Sequence, residues 1–244
     1  MSDTNTAVDP RGDDRLSPDD VRADPAARGV LYVTLARVFD HPTEELHASL
    51  ADGRVGNGLR EALAKTTLDV TVPDLDPGED YEVLSARYNR LFALGMATVT
   101  DRTDGSVEKE GPAVSLYESG HRDDATWNTI NEDLARAYEY YDLSVDEDER
   151  DHHDNLGLQL EFAGYLSRRD ALGEDDAAAA RRDFLDRHLT VFAASLREEL
   201  TETDVAGVYA DLAVLLDRLV AADYTDLADR LEDEREPDER EVTW

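Results

Sequence analysis

The sequence contains no cysteine, only two lysines, and no apolar run approaching the length that crosses a bilayer. Without cysteine there is no disulfide scaffold, no zinc ribbon, no thiolate-ligated iron–sulfur cluster and no cysteine nucleophile. A spanning helix needs roughly 20 consecutive apolar residues, and none is present. Basic residues number 25 against 58 acidic ones, for a formal net charge of −33. A nucleic-acid binder neutralises phosphates with clustered Lys and Arg, so that class is excluded. There is no Gly-rich phosphate loop, no Gly-x-Ser-x-Gly elbow and no paired His-Glu zinc motif.

What the chain does have is acid. Its 244 residues include 36 Asp and 22 Glu, and apart from Lys65 and Lys109 every basic residue is arginine. Acid excess with almost no lysine, spread along the whole chain, is the surface expected of a protein from a salt-accumulating halophile. At 1 M salt the Debye length shrinks to roughly 3 Å, and the self-repulsion of such a surface is screened. Much of the charge therefore reports the solvent and not a partner. An acidic disordered protein would share the composition but not the apolar periodicity described next.

Residues 1 to about 25 are polar and acidic, with Pro10, Gly12, Pro18 and Pro25. They lack the positive start and apolar stretch of a signal peptide, and Arg11 and Arg15 are isolated, so the segment reads as a disordered arm of a cytoplasmic protein. The tail from Glu232 to Trp244 reads the same way. Between them helical spacing dominates. Leu31, Tyr32, Leu35, Val38 and Phe39 form one stripe, ended by His41-Pro42. Thr43 is the N-cap of a short second helix, and Leu59 to Ala64 forms a third. After a Pro/Asp/Gly joint at Val72 to Gly78, a helix from about Asp80 to Leu94 presents Leu84, Tyr88, Leu91 and Phe92. The pattern breaks from Gly95 to Arg122, a loop long enough to be functional. Four helices follow, over Asp124–Tyr141, Asp148–Arg169, Asp175–Leu200 and Thr203 to about Arg230. No hairpin signal is evident. The expected fold is all-α, a single-domain bundle of about eight or nine helices spanning residues 26–231.

The most conspicuous chemical cluster is Asp151-His152-His153-Asp154, at the expected start of a helix buried on two sides. Imidazoles and carboxylates are metal ligands, and residues three or four apart share a helix face. The other histidines (His41, His47, His121 and His188) lie far away in sequence. Acids in a first helical turn also serve the helix dipole, and adjacent histidines point to different faces. Glu161, followed by Phe162, is a carboxylate on or beside an apolar face. A metal-dependent helical hydrolase using His152, His153, Asp154 and Glu161 is the alternative reading from a different class.

Taken in order, several segments resemble one family. Tyr88-Asn89-Arg90-Leu91-Phe92, a variable loop and then Tyr117-Glu118-Ser119 are similar to the TorD/DmsD/NarJ chaperones of molybdenum-containing oxidoreductases. Asp154-Asn155-Leu156-Gly157-Leu158-Gln159-Leu160-Glu161-Phe162 resembles that family's signature of Asp-His followed by a small residue and a Glu-bearing apolar run. Phe184-Leu185, His188-Leu189 and Phe192 resemble its Phe-Leu-x-x-His-Leu-x-x-Trp segment, and Tyr32, Leu35, Phe39 and Pro42 fit its first helix. The resemblance spans about residues 27 to 222. Asn155 stands where the family carries histidine, His152 where it carries proline, and Phe192 where it carries tryptophan.

The resemblance implies a cytoplasmic, all-helical binding protein that is not an enzyme and holds no cofactor or metal. Its expected partner is the catalytic subunit of a molybdopterin reductase, bound through an N-terminal, twin-arginine signal segment until the cofactor is inserted. A nitrate reductase assembly factor acting without an export signal is the close alternative, and either a monomer or a domain-swapped dimer is compatible. Carried over position by position, the client-binding residues are Tyr117, Glu118, Ser119, Asp154 and Asn155, with Leu158 and Glu161 on the following turns and Phe92 in the groove. Asp154 and Glu118 would take guanidinium groups, and Phe92, Tyr117 and Leu158 the apolar part. High salt weakens the ionic term and favours the apolar one, so groove contacts are expected to outweigh charge pairs.

Overall fold

A computed structural model describes residues 21–93, 97–99, 107–109, 112–145, 152–174 and 176–240, with backbone alone for 97–99, 107–109 and 233–240. Among these residues the fold is all-α, built from nine α-helical segments. The first, α1 (Ala23–Val38), buries the expected stripe of Leu31, Tyr32, Leu35, Val38 and Phe39. It stops ahead of Pro42, which can neither donate to the next turn nor let His41 take helical backbone angles easily. Next comes α2 (Glu44–Ala51), capped by the Thr43 hydroxyl accepting from Leu46 N at 3.1 Å. It is followed by α3 (Arg54–Leu63) and α4 (Tyr81–Tyr88), whose cap is Asp80 accepting from Val83 N at 3.0 Å. The joint between α3 and α4 is no mere linker, since Leu68, Val72 and Leu75 are buried in the core.

The second half holds α5 (Trp127–Tyr140), α6 (Leu156–Ala171), α7 (Ala177–Phe184), α8 (Thr190–Glu202) and α9 (Val208–Arg240). Four boundaries differ from those expected of the periodicity. The buried helix begins at Leu156, so His152, His153 and Asp154 precede it instead of forming its first turn. The expected helix over Asp175–Leu200 is α7 and α8 joined by a π turn at Leu185–Leu189, and a second π turn, Asn89–Ala93, extends α4. The last helix starts late because Gly207, at φ +57°, takes a left-handed backbone that breaks any helix run from Thr203. It then continues to Arg240, past the expected boundary near residue 231.

The loop over Gly95–Arg122 also contains structure that periodicity did not signal. β1 (Ala97–Val99) pairs antiparallel with β2 (Val107–Lys109), with Thr98 opposite Glu108. Asp104-Gly105 lies between them in sequence, but strands of three residues are too short for alternation to register. The expected acidic arm falls outside the described residues up to position 20, as does the tail beyond position 240.

The centre of the bundle is the pair α1 and α6, which cross at two glycines. A Cβ on Gly164 would lie 2.9 Å from Val33 Cγ2 and 3.3 Å from Gly29 O, and one on Gly29 would lie 3.2 Å from Gly164 O. Only bare backbone permits that approach. Around this crossing lies a buried ionic clasp. Arg28, 1% exposed, donates to Asp223 at 2.6 Å, to Asp226 at 2.7 Å and to Asp24 at 2.6 Å. Tyr32 donates its hydroxyl to Asp223 at 2.7 Å. Arg181, fully buried, lies 3.4 Å from Asp223 and 3.5 Å from Asp170. Burial, reinforced by the charge of Asp223, pushes the Tyr32 phenol well above its ordinary value. The clasp joins α1, α6, α7 and α9.

Removing one member of such a cluster leaves the others charged and dry. Asp223→Ala is expected to cost about 3–5 kcal/mol, read as a lower midpoint in denaturant unfolding at molar KCl. A change under about 1 kcal/mol would mean that water reaches Arg28 and Arg181.

Candidate functional site

The loop at residues 114–122 and the start of α6 are separated by more than thirty residues, yet the fold sews them together. Tyr117 and Asn155 form an antiparallel bridge. On either side of it Glu118 N donates to Asp154 O and Leu156 N donates to Leu116 O, both at 2.9 Å. Five of the expected residues, Tyr117, Glu118, Ser119, Asp154 and Asn155, thus form one junction. Asn155 caps α6, its Oδ1 accepting from Gly157 N at 2.9 Å. Asn is among the best N-cap residues, because its short side chain reaches an otherwise unpaired amide of the first turn. That is a physical reason for asparagine at this position.

The carboxylates sit on the inner side of the junction. Glu118 and Asp154 are both fully buried. Asp154 Oδ2 accepts from Ser119 N at 3.1 Å, and its amide donates to Asn131 Oδ1 at 3.3 Å, while Oδ1 has no donor among the described residues. Glu118 is surrounded. It accepts from Gln159 Nε2 at 2.8 Å and from Arg122 at 3.0 Å, and His188 Nδ1 lies 2.9 Å from its Oε2. The other ring nitrogen of His188 is 3.1 Å from Asp133 Oδ2. A neutral imidazole donates to only one of these carboxylates. The expectation that Glu118 and Asp154 face a client guanidinium is therefore corrected: they face inward and hold the junction.

His188, Gln159, Arg122 and Asp133 belong to the site although the sequence reading did not place them there. For His188 a signal existed in the Phe184-Leu185 to His188-Leu189 segment. The structure adds that this histidine sits in the π turn at Leu185–Leu189, where the extra residue in the helical turn sets its direction. A second histidine fastens the same loop: His121 Nε2 lies 2.8 Å from Ser115 O and its Nδ1 3.0 Å from Ser195 Oγ on α8.

The outward side is aromatic. The His152 ring is 5.8 Å from that of Tyr117 and 5.1 Å from that of Trp127, which is 48% exposed. The His153 ring lies against Tyr138 at 5.9 Å, and Tyr138 donates its hydroxyl to His153 O at 3.1 Å. His152 and His153 thus face different aromatic neighbours. Among the described residues no three His, Asp or Glu side chains converge as a metal site would require, and Asp151 lies outside them. Leu158, half-buried, and Glu161, exposed, line a cleft of about 210 Å³ together with Tyr165 and Arg168. Phe92 is elsewhere, in an aromatic group with Tyr88 at 5.1 Å and Tyr209 at 5.3 Å. The Val114 N to Leu91 O hydrogen bond, at 2.9 Å, joins its segment to the loop.

Comparison with known proteins matches residues 52–198 to a family described as the nitrate reductase delta subunit. The chain is 31% identical over 204 residues to a selenate reductase assembly chaperone protein of Thauera selenatis, covering 81% of this chain and 88% of the relative. It is 29% identical over 218 residues to a chlorate reductase assembly chaperone protein of Ideonella dechloratans, covering 87% and 95% respectively. With a perchlorate reductase assembly chaperone protein of Dechloromonas aromatica the identity is 26%, covering 80% and 88%. No solved structure matches the chain.

The junction geometry makes two results expected. Asn155→Ala, which removes the cap, lowers stability by about 1 kcal/mol, whereas Asn155→Asp retains it; equal unfolding midpoints for both variants would show that the cap is idle. The second result concerns alkali. Burial above all, with the charges of Glu118, Asp154 and Glu161, raises the Tyr138 phenol far above its usual range. Burial and the charge of Asp176 push Tyr141 up to about 12. A phenol whose folded value is raised stabilises the fold fully below the unfolded value, about pH 10, and that contribution is lost as pH rises further. Ultraviolet difference titration should show Tyr141 ionising at about pH 12, above an exposed phenol, and Tyr138 ionising only with unfolding.

Proposed function

Because this chain belongs to the nitrate reductase delta subunit family, we propose that it is the assembly chaperone of a molybdenum-containing reductase, binding the catalytic subunit until it is complete. The observation that carries the reading is similarity over four-fifths or more of the chain to assembly chaperones of selenate, chlorate and perchlorate reductases. Those relatives are named as assembly factors and not as catalysts, and the role here is likewise binding. That sets the helical hydrolase reading aside.

The bound element in this reading is the N-terminal segment of the subunit, with the Tyr117–Asn155 junction as part of its seat. Tyr117, Ser119, Asn155, Leu158 and Glu161 keep exposed or half-buried surface there, while Glu118 and Asp154 hold the backbone that presents them. Phe92, buried in its separate aromatic group, offers no comparable surface. We place the protein in the cytoplasm of a salt-accumulating cell, where the segment is held before export. No described helix is long and apolar enough to cross a membrane, which is compatible with that setting. The family description favours a second form of the same reading, in which the client is a nitrate reductase that needs no export signal.

The test is affinity capture from cytosol kept at molar KCl, with bound proteins identified by mass spectrometry. High salt is required because low salt leaves the charge of −33 unscreened. Recovery of a molybdopterin-binding catalytic subunit is expected, and its loss on deleting the subunit's N-terminal segment would assign the binding element. Recovery regardless of that segment would favour the nitrate reductase form. A preparation that recovers no such subunit would overturn the proposal.

A further inference from the structure

Two histidines fasten the loop at residues 114–122, and their partners differ in kind. The His121 side chain, fully buried, has Nε2 2.8 Å from Ser115 O and Nδ1 3.0 Å from the Ser195 hydroxyl. A carbonyl only accepts, but a hydroxyl can donate, so a single ring proton satisfies both contacts. Glu199, 3.3 Å from the same Nδ1, is 41% exposed and has water as an alternative. His188, 5% exposed, has no such latitude. Its Nδ1 lies 2.9 Å and 3.2 Å from the two oxygens of Glu118, and its Nε2 lies 3.1 Å from Asp133 Oδ2. Ionised carboxylates only accept, so both contacts are hydrogen bonds only when both ring nitrogens carry hydrogen.

The charge around the ring runs the same way. The loop brings Glu118 and Arg122, and Arg122 is shared with Asp124. From α5 comes Asp133, and from the π turn itself Arg187, which is divided between Asp133 and Asp183 of α7. From α6 comes the uncharged Gln159, whose Nε2 lies between Glu118 Oε2 and the backbone oxygen of the buried Asp154. An open cleft beside the ring adds Asp176, Tyr140 and Tyr141. The surplus is negative, and a ring with both protons answers it with charge. A neutral ring would instead turn a bare nitrogen toward one carboxylate, and on the inner side that carboxylate is Glu118, which has no water to turn to.

We infer that His188 is a positioning residue for the client seat, an imidazolium that clamps the loop to α5 by donating to Glu118 and to Asp133 at once. Glu118 passes the clamp on, because its amide donates to Asp154 O at one side of the Tyr117–Asn155 bridge. The remaining link from the start of α6 to α5 is the longer one from Asp154 N to Asn131 Oδ1, at 3.3 Å. As pH rises and the ring gives up one proton, it keeps one carboxylate and loses the other, so the loop and α5 are no longer joined through it. The inference rests on the chaperone reading for the client and adds to it a proton-dependent control of the seat.

The test is nitrogen NMR of the isotope-labelled full chain in molar KCl, which reads the two ring nitrogens separately. The His188 signals are assigned by their loss in His188→Gln, or by their shift in Asp133→Asn, a partly exposed position, if the first variant does not fold. At about pH 7 both nitrogens of His188 are expected to carry hydrogen, whereas His121 shows one bare nitrogen. A bare nitrogen on His188, with the proton on a carboxyl oxygen or absent, overturns the clamp. Asp133→Asn should let the second proton leave at a pH lower by at least about one unit, and an unchanged titration also overturns it. Protection of the Glu118 and Leu156 amides from exchange should fall at least about tenfold as the ring deprotonates, the effect of losing one charged hydrogen bond. That step should vanish in His188→Gln and persist in His152→Gln; protection without the step overturns the positioning role. Capture of the catalytic subunit should follow the same step, and capture without it severs the clamp from the seat. No capture at any pH sinks the chaperone reading, while the ring protons, read without client, still decide the clamp.

Discussion

A carboxylate fully removed from water survives as part of a fold only if donors surround it, and Glu118 sets that condition for the whole site. Gln159 comes from α6, Arg122 from the loop's own exit, and His188 from the π turn between α7 and α8. Each donor brings its own segment, so satisfying one side chain fixes three parts of the chain against each other. The Tyr117–Asn155 bridge, the cap on α6 and the aromatic surface around His152 are all held where Glu118 holds them. The outer face is held in place by charge contacts made on the inside.

The helices themselves were legible because their burial follows the 3.6-residue period closely. Leu31, Tyr32, Leu35, Val38 and Phe39 are all buried, as are Leu84, Tyr88, Leu91 and Phe92. Thr43 caps its helix as its position suggests. The failures are equally physical. Pattern reading carried a helix through His152 and His153 because polar residues at a helix start and polar residues in a turn look alike; only the Asn155 cap separates them. It missed the π turns because one extra residue shifts the apolar phase without breaking it. The three-residue strands were below the length at which alternation has meaning.

The site was legible in part. The resemblance joined Tyr117-Glu118-Ser119 to Asp154-Asn155 across a long sequence gap, and the structure places them in contact. What it did not reveal is orientation. A carboxylate in a short motif is naturally read as facing a ligand, and residue types alone do not say which side of a bridge is wet. In a chain with 58 acids, the informative ones are the few that are buried: Glu118, Asp154, Asp170 and Asp223. The remainder belong mainly to the solvent, and the two buried groups of acids divide the work. One pair organises the junction and the other holds the bundle around Arg28 and Arg181.

That second group has a bearing on how the protein is made. Arg28 and Asp223 are 195 positions apart, and Asp226 is farther still, so most of the carboxylates that neutralise Arg28 are synthesised last. During translation α1 can dock on α6 at the glycine crossing while Arg28 has one carboxylate, Asp24, and the Thr67 hydroxyl as acceptors. The ionic clasp locks only when α9 arrives. Maturation of the bundle is thereby tied to completion of the polypeptide: a truncated product lacks the charges that make its first helix affordable to bury, and remains open to proteolysis where the finished protein is closed.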